Sequence, residues 1–168
     1  MNDVEIHEAL VRWLSAQTGL RVIKAHQSGD RPDKPYLMIN MLNCREVREH
    51  CQDFEFVETE TLNSEGLAEI SVSPVIEMEW DFSIHAYGDN PTNSLRILKG
   101  RTHLAQRLEP LFPSLIVHET GTINNVPDWV KNDWEPRAQM NLLIRGLTRD
   151  GAVVDVIQDA SVGVSKGA

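Results

Sequence analysis

The chain has 168 residues, with 16 Lys and Arg against 25 Asp and Glu, a net charge of −9, and two cysteines, Cys44 and Cys51. A chain of this length buries about 68–70% of its unfolded surface, enough for one domain with its own core. The charge argues against a nucleic-acid binder that neutralises phosphates, and two cysteines are too few for a disulfide framework or zinc site, as expected of a reducing cytoplasm.

Asn2 or Asp3 is placed to cap a first helix in which Ile6, Ala9, Leu10, Trp13, Leu14 and Gln17 form one stripe, and Gly19 ends it. Arg21 to His26 reads as a short strand, Gln27 to Pro35 as a loop, and Tyr36 to Asn43 as an apolar strand covered on both faces for part of its length. Two β-prone runs flank the turn Asn63-Ser64-Glu65-Gly66, which predicts a hairpin over about 53–73, too polar to be core. It either touches another chain or stands in solvent.

From Glu77 to Ala86 the sequence alternates strictly. Met78, Trp80, Phe82, Ile84 and Ala86 belong to one face, and Glu77, Glu79, Asp81, Ser83 and His85 to the other. This strand is expected at the centre of the sheet. It stops at Tyr87-Gly88-Asp89-Asn90-Pro91, a strand-to-helix corner, and a second helix follows with Ile97, Leu98, Leu104, Ala105 and Leu108 on its covered side. After Pro110 and Pro113, Leu115 to Glu119 reads as a strand and Thr120 to Asp133 as a loop, with Trp129 inside it and Trp134 just beyond. Pro136 to Arg145 alternates again, Gly151 to Ile157 is a candidate edge strand, and 158–168 is expected to be a flexible tail after a single domain over 1–157. The fold class is α+β: a mixed, mainly antiparallel sheet flanked by two helices, with a protruding acidic hairpin arm.

No apolar run approaches membrane length, and MNDVEIHE lacks the regions of a signal peptide, so a soluble protein not exported by that route is expected. Between Arg48 and Arg96 there is no Lys or Arg, while Glu49, Asp53, Glu55, Glu58, Glu60, Glu65, Glu69, Glu77, Glu79, Asp81 and Asp89 fall there. One contiguous third of the chain therefore holds the whole negative excess. There is no phosphate-cradling loop, nucleophile elbow, helical His pair or calcium-loop spacing, so neither an enzyme nor a cofactor is indicated. The best polar cluster is Glu77, Glu79, Asp81 and His85. Residues four apart on a strand sit about 13 Å from each other, so Asp81 and His85 cannot share a metal unaided, and a solvated polar face is the favoured reading. Arg101, inside the predicted apolar stripe, either reaches a buried carboxylate or a partner subunit, or lays its stem along the core and leaves its head in water. Trp129 and Trp134 are either interface anchors or a cap over the open end of the core.

The order of these pieces resembles the neck or tail-terminator proteins of tailed bacteriophages. Phe82 to Asp89 (FSIHAYGD), the second helix after it, and Trp134 to Met140 (WEPRAQM), which includes Arg137, carry the resemblance, with Thr18-Gly19-Leu20 and Pro35-Tyr36 in support. It spans most of Asp3 to Arg145. It implies a small α+β virion subunit, assembled in the host cytoplasm, that forms a homo-oligomeric ring, typically hexameric, at the head-proximal end of the tail. Such a ring stops tube polymerisation, meets tail tube, sheath and head–tail connector proteins, and lets DNA pass without specific binding. A body with a radius of gyration of about 15 Å is some 40 Å across, and six in a ring leave a hole of comparable width. The acids at Glu55, Glu58, Glu60, Glu65, Glu69, Glu77 and Glu79 are then expected to face the channel or a basic partner, and Arg101, Trp129, Trp134 and Arg137 a neighbouring subunit or another partner. Another ring-forming virion component, such as a head-completion or tube protein, is the alternative, followed by a small-ligand domain or enzyme.

Overall fold

The computed structural model describes residues 2–63, 66, 68–104 and 115–154. Helix α1 (Asp3–Thr18) opens the chain, followed by β1 (Arg21–Lys24), β2 (Tyr36–Glu46), β3 (Asp53–Leu62), β4 (Ala68–Tyr87) and α2 (Pro91–Thr102). Then come β5 (Leu115–Thr120), β6 (Asn124–Asn125), β7 (Asp128–Val130), β8 (Asp133–Glu135), β9 (Arg137–Arg149) and β10 (Ala152–Val154). The α+β class with a mixed, mostly antiparallel sheet is as the sequence indicates.

Strand β4 is the spine. It has 20 residues, about 66 Å at 3.3 Å per residue, and lies third in the order β1-β2-β4-β9-β5. Along one edge it pairs with β2 and then β3, and along the other with β9 and then β10, all antiparallel; only β1 runs parallel to its neighbour. Strand β3 pairs with the first part of β4, which is continuous with the spine, and β10 flanks the same part of β4 on the opposite side.

The core lies on one face of this sheet. Trp80, Phe82, Ile84 and Ala86 of β4 stand beside Leu37 and Ile39 of β2 and Ala138, Met140, Leu142 and Ile144 of β9. Helix α1 covers them with all six residues of its predicted stripe. Its N-terminus is closed by a capping box, the Asn2 side chain accepting from the Glu5 amide and the Glu5 carboxylate from the Asn2 amide, both at 2.9 Å. Asp3 has another task, accepting from the Trp80 indole N–H at 3.1 Å and so fixing the helix to the spine. Each side chain of Leu or Phe size buried here contributes roughly 1.5–3 kcal/mol.

Helix α2 differs from expectation. Its buried residues are Pro91, Leu95 and Leu98, a stripe at i, i+4 and i+7, whereas Ile97 and Leu104 are exposed and Arg101 points to solvent. The helix closes at Thr102, with His103 as its C-cap, before Leu104. Ala105, Leu108, Pro110, Pro113 and the 158–168 tail lie outside the described residues. The predicted loop over Thr120 to Asp133 instead contains β6 and most of a small hairpin, β7–β8, turned by Lys131 and Asn132 at φ 50 and 66. No glycine marks this turn, which is why its strands were not legible.

Candidate functional site

The polar face of β4 is not the solvated row that its alternation suggests. Glu79 is only 2% exposed and Ser83 is buried with it, because arginines from both neighbouring strands close over the carboxylate. Register sets Arg45 of β2 and Arg145 of β9 directly opposite Glu79. Arg45 Nε donates to Glu79 Oε1 at 2.7 Å and its Nη2 donates to the same oxygen, while Arg145 Nε donates to Oε2 at 2.8 Å. Burial by itself would push the Glu79 pKa up; the hydrogen bonds from Arg145 and Arg45 outweigh it and hold the carboxyl below its ordinary value. Glu77, one pleat away, accepts from Gln52 Nε2 at 3.0 Å and lies 3.9 Å from Arg48 and 4.0 Å from Arg145.

Further along the face, Gln139 Nε2 donates to Ser83 Oγ at 2.9 Å, and Ser83 Oγ lies 3.0 Å from His85 Nε2. Burial, then the charge of Arg137, lowers the His85 pKa, so the ring is held neutral. Burial raises the pKa of Asp81, with Arg45 opposing. Among the described residues no group of three or more His, Cys, Asp or Glu side chains is placed to hold a metal.

The acidic window therefore divides in two. Glu77 and Glu79 are ion-paired within the chain, as is Glu55, whose Oε1 accepts from Arg149 Nε at 2.7 Å. Glu58, Glu60 and Glu69 have no ion pair among the described residues, and Glu65 lies outside them. The first two belong to β3, nearly all of which is exposed. The bases that neutralise the window come from outside its sequence, which sequence order alone could not reveal.

The other candidates also separate. Trp129 and Trp134 face each other across β7–β8, ring centroids 5.0 Å apart in an edge-on arrangement, and both are exposed. They form no cap over the core. Arg137 is turned inward, its Nε donating to the Val126 carbonyl at 3.1 Å and its Nη1 to Asp128 at 3.2 Å. Arg101 has no ion pair among the described residues. The two motifs that carry the family resemblance meet in space: Tyr87, stacked on Tyr36 at 4.7 Å, pairs with Arg137, and Ala86 with Ala138. Gly88, at φ 134, makes the corner between them, where a Cβ would stand 3.0 Å from that of Pro35.

Fold and surface together define an α+β body whose spine is held by ion pairs and which leaves Phe54, Phe56, Trp129 and Trp134 exposed. The family model described as phage neck terminator protein matches residues 4–168, and the chain belongs to that family. The family is one of structural phage tail terminators and not of enzymes. Among solved structures it is similar to the sheath/tube terminator of an extracellular contractile injection system, PVC, determined by cryo-EM in the extended state, with a TM-score of 0.52 at 10% identity. That match covers 100% of this chain and 65% of the other, so this chain spans about two thirds of the length of that relative. No curated protein matches it.

Proposed function

We propose that this chain forms a ring, typically of six copies, at the head-proximal end of the tail, where it stops tube polymerisation and joins the tail to the head connector while DNA passes through. The observation that carries this reading is the family match over nearly the whole chain, 4–168. The similarity to a sheath/tube terminator supports tail tube and sheath proteins as its partners within the virion. The unpaired acids Glu58, Glu60 and Glu69 suit a channel wall that repels phosphates, or a contact with a basic partner. The acids at Glu77 and Glu79 have a different duty, holding β2 and β9 to β4.

Deleting the chain from its parent phage genome tests the reading. Negative-stain images are expected to show tails of irregular, overgrown length beside unattached filled heads. Normal joined particles would overturn it. Replacing Glu58, Glu60 and Glu69 together by Lys is expected to slow genome ejection or block assembly, whereas unchanged infectivity would remove the role given to these acids.

A further inference from the structure

The β3–β4 hairpin has an apolar face that nothing among the described residues covers. Register sets Phe54 opposite Pro74 and Phe56 opposite Val72, and on the other side of β4 it sets Val154 opposite Ile70. Directly opposed residues project to the same side, so these six side chains share one surface of three strands. Phe56 is 69% exposed and Phe54 51%. Register sets Glu58 opposite Ile70 at the end of this same face, and Glu60 follows it two residues on; among the described residues neither has an ion pair, and the Arg149–Glu55 pair belongs to the other face.

A surface of opposite character lies on α2. Ile97 and Arg101 lie at i and i+4 on its outer side, with Ile97 45% exposed, and Leu104, just past the end of the helix, is 54% exposed. The helix sequence PTNSLRILKGRT contains Arg96, Lys99 and Arg101 and no acid. None of these three cations has an ion pair among the described residues. Arg96 donates to Asn93 Oδ1 at 2.7 Å and Lys99 to the Gly121 carbonyl at 2.9 Å, both neutral acceptors.

The two surfaces cannot meet within one molecule. From Val72 to Tyr87 the spine runs about 50 Å at 3.3 Å per residue, and α2, which starts just past Tyr87, is 12 residues and so about 18 Å long. An apolar strip rimmed by unpaired acids and an apolar strip lined by unpaired cations are complementary in both respects. We infer that the apolar face of the β3–β4 hairpin docks on the exposed side of α2 in a second copy of this chain. Because the two patches differ, the contact is heterologous and propagates from copy to copy until it closes into a ring. This rests on the ring reading above and names the surfaces that make it.

The test places a benzophenone photocrosslinking residue at Phe56 of the full chain, in tails purified from cells assembling the parent phage. The expected product is a covalent dimer whose crosslinked peptide lies within residues 91–104. Arg101→Glu is expected to cut the yield of that adduct about tenfold, the scale of one close charge pair across an interface, and adding Glu58→Lys with Glu60→Lys to the same chain to restore it. All three positions are exposed, so circular dichroism of each variant should match the parent. A dimer crosslinked elsewhere in the chain would overturn this contact and leave the ring standing. An adduct with a tube or sheath protein would assign the hairpin to that partner, and no adduct in tails that contain the chain would overturn the docking outright. Normal tails without the chain would instead remove the ring reading itself.

Discussion

Glu79→Gln isolates the ion pairs that hold the spine. The substitution preserves shape and one carbonyl acceptor but removes the charge that Arg45 and Arg145 share. Hydrogen bonds to charged groups contribute roughly 1.5–3 kcal/mol each, and breaking a buried pair costs about 3–5 kcal/mol when the orphaned partner stays buried. Here the Arg45 side chain is 67% exposed and rehydrates readily, so the loss centres on Arg145, whose side chain is 27% exposed. A destabilisation of about 2–3 kcal/mol is expected, or about 4–12 °C in Tm for a chain of this size. The pH dependence has a definite sign. Because the folded carboxyl titrates below its ordinary 4.5, its contribution is complete above about pH 4.5 and is lost as pH falls through the folded value. Urea midpoints followed by circular dichroism from pH 7 to pH 3 should show the variant weaker at pH 7 and the two proteins converging in acid. Parallel curves across that range, or equal midpoints at pH 7, would refute the account.

Gly88→Ala puts a side chain at φ 134 and against Pro35, a strain of about 1–3 kcal/mol that should appear as a lower Tm; an unchanged Tm would remove the glycine requirement at this corner. At Gly151 an added Cβ would stand 2.1 Å from Ser73 Oγ and 3.1 Å from the Val72 carbonyl oxygen, so Gly151→Ala should speed amide exchange at Val153 and Val154 while leaving β9 protected. His85, lowered by burial and then by Arg137, should titrate below 6.5 by NMR. Its stabilising contribution is present above about pH 6.5 and lost as pH falls through the folded value, a component that His85→Gln abolishes; titration at or above 6.5 would contradict its neutral state.

Local signals are legible where the physics is local. The α1 stripe, its end at Gly19, and the Gly88 corner followed by a helix all depend on residues a few positions apart, and each stands in the structure. The stripe of α2 is ambiguous in the sequence because Ile97 and Leu104 fit a helical period as well as Leu95 and Leu98 do, and only packing against the sheet selects between them. The alternation Asp53-Phe54-Glu55-Phe56 already separates an apolar from an acidic side, a period-2 signal for the hairpin surface that composition alone obscures.

By itself, the sequence determined the period of each long element, the face of β4 that enters the core, and the family to which the chain belongs. These follow from side-chain alternation and turn chemistry, which act over a few residues. Only the tertiary structure decided which charges are free. Glu79 meets its partners across 34 and 66 residues of chain, and the acids of one contiguous segment are neutralised or left bare according to which strand lies beside them. Strand pairing sets that outcome, because an ion pair depends on distance in space, and register, not sequence order, brings Arg45 and Arg145 to the same carboxylate.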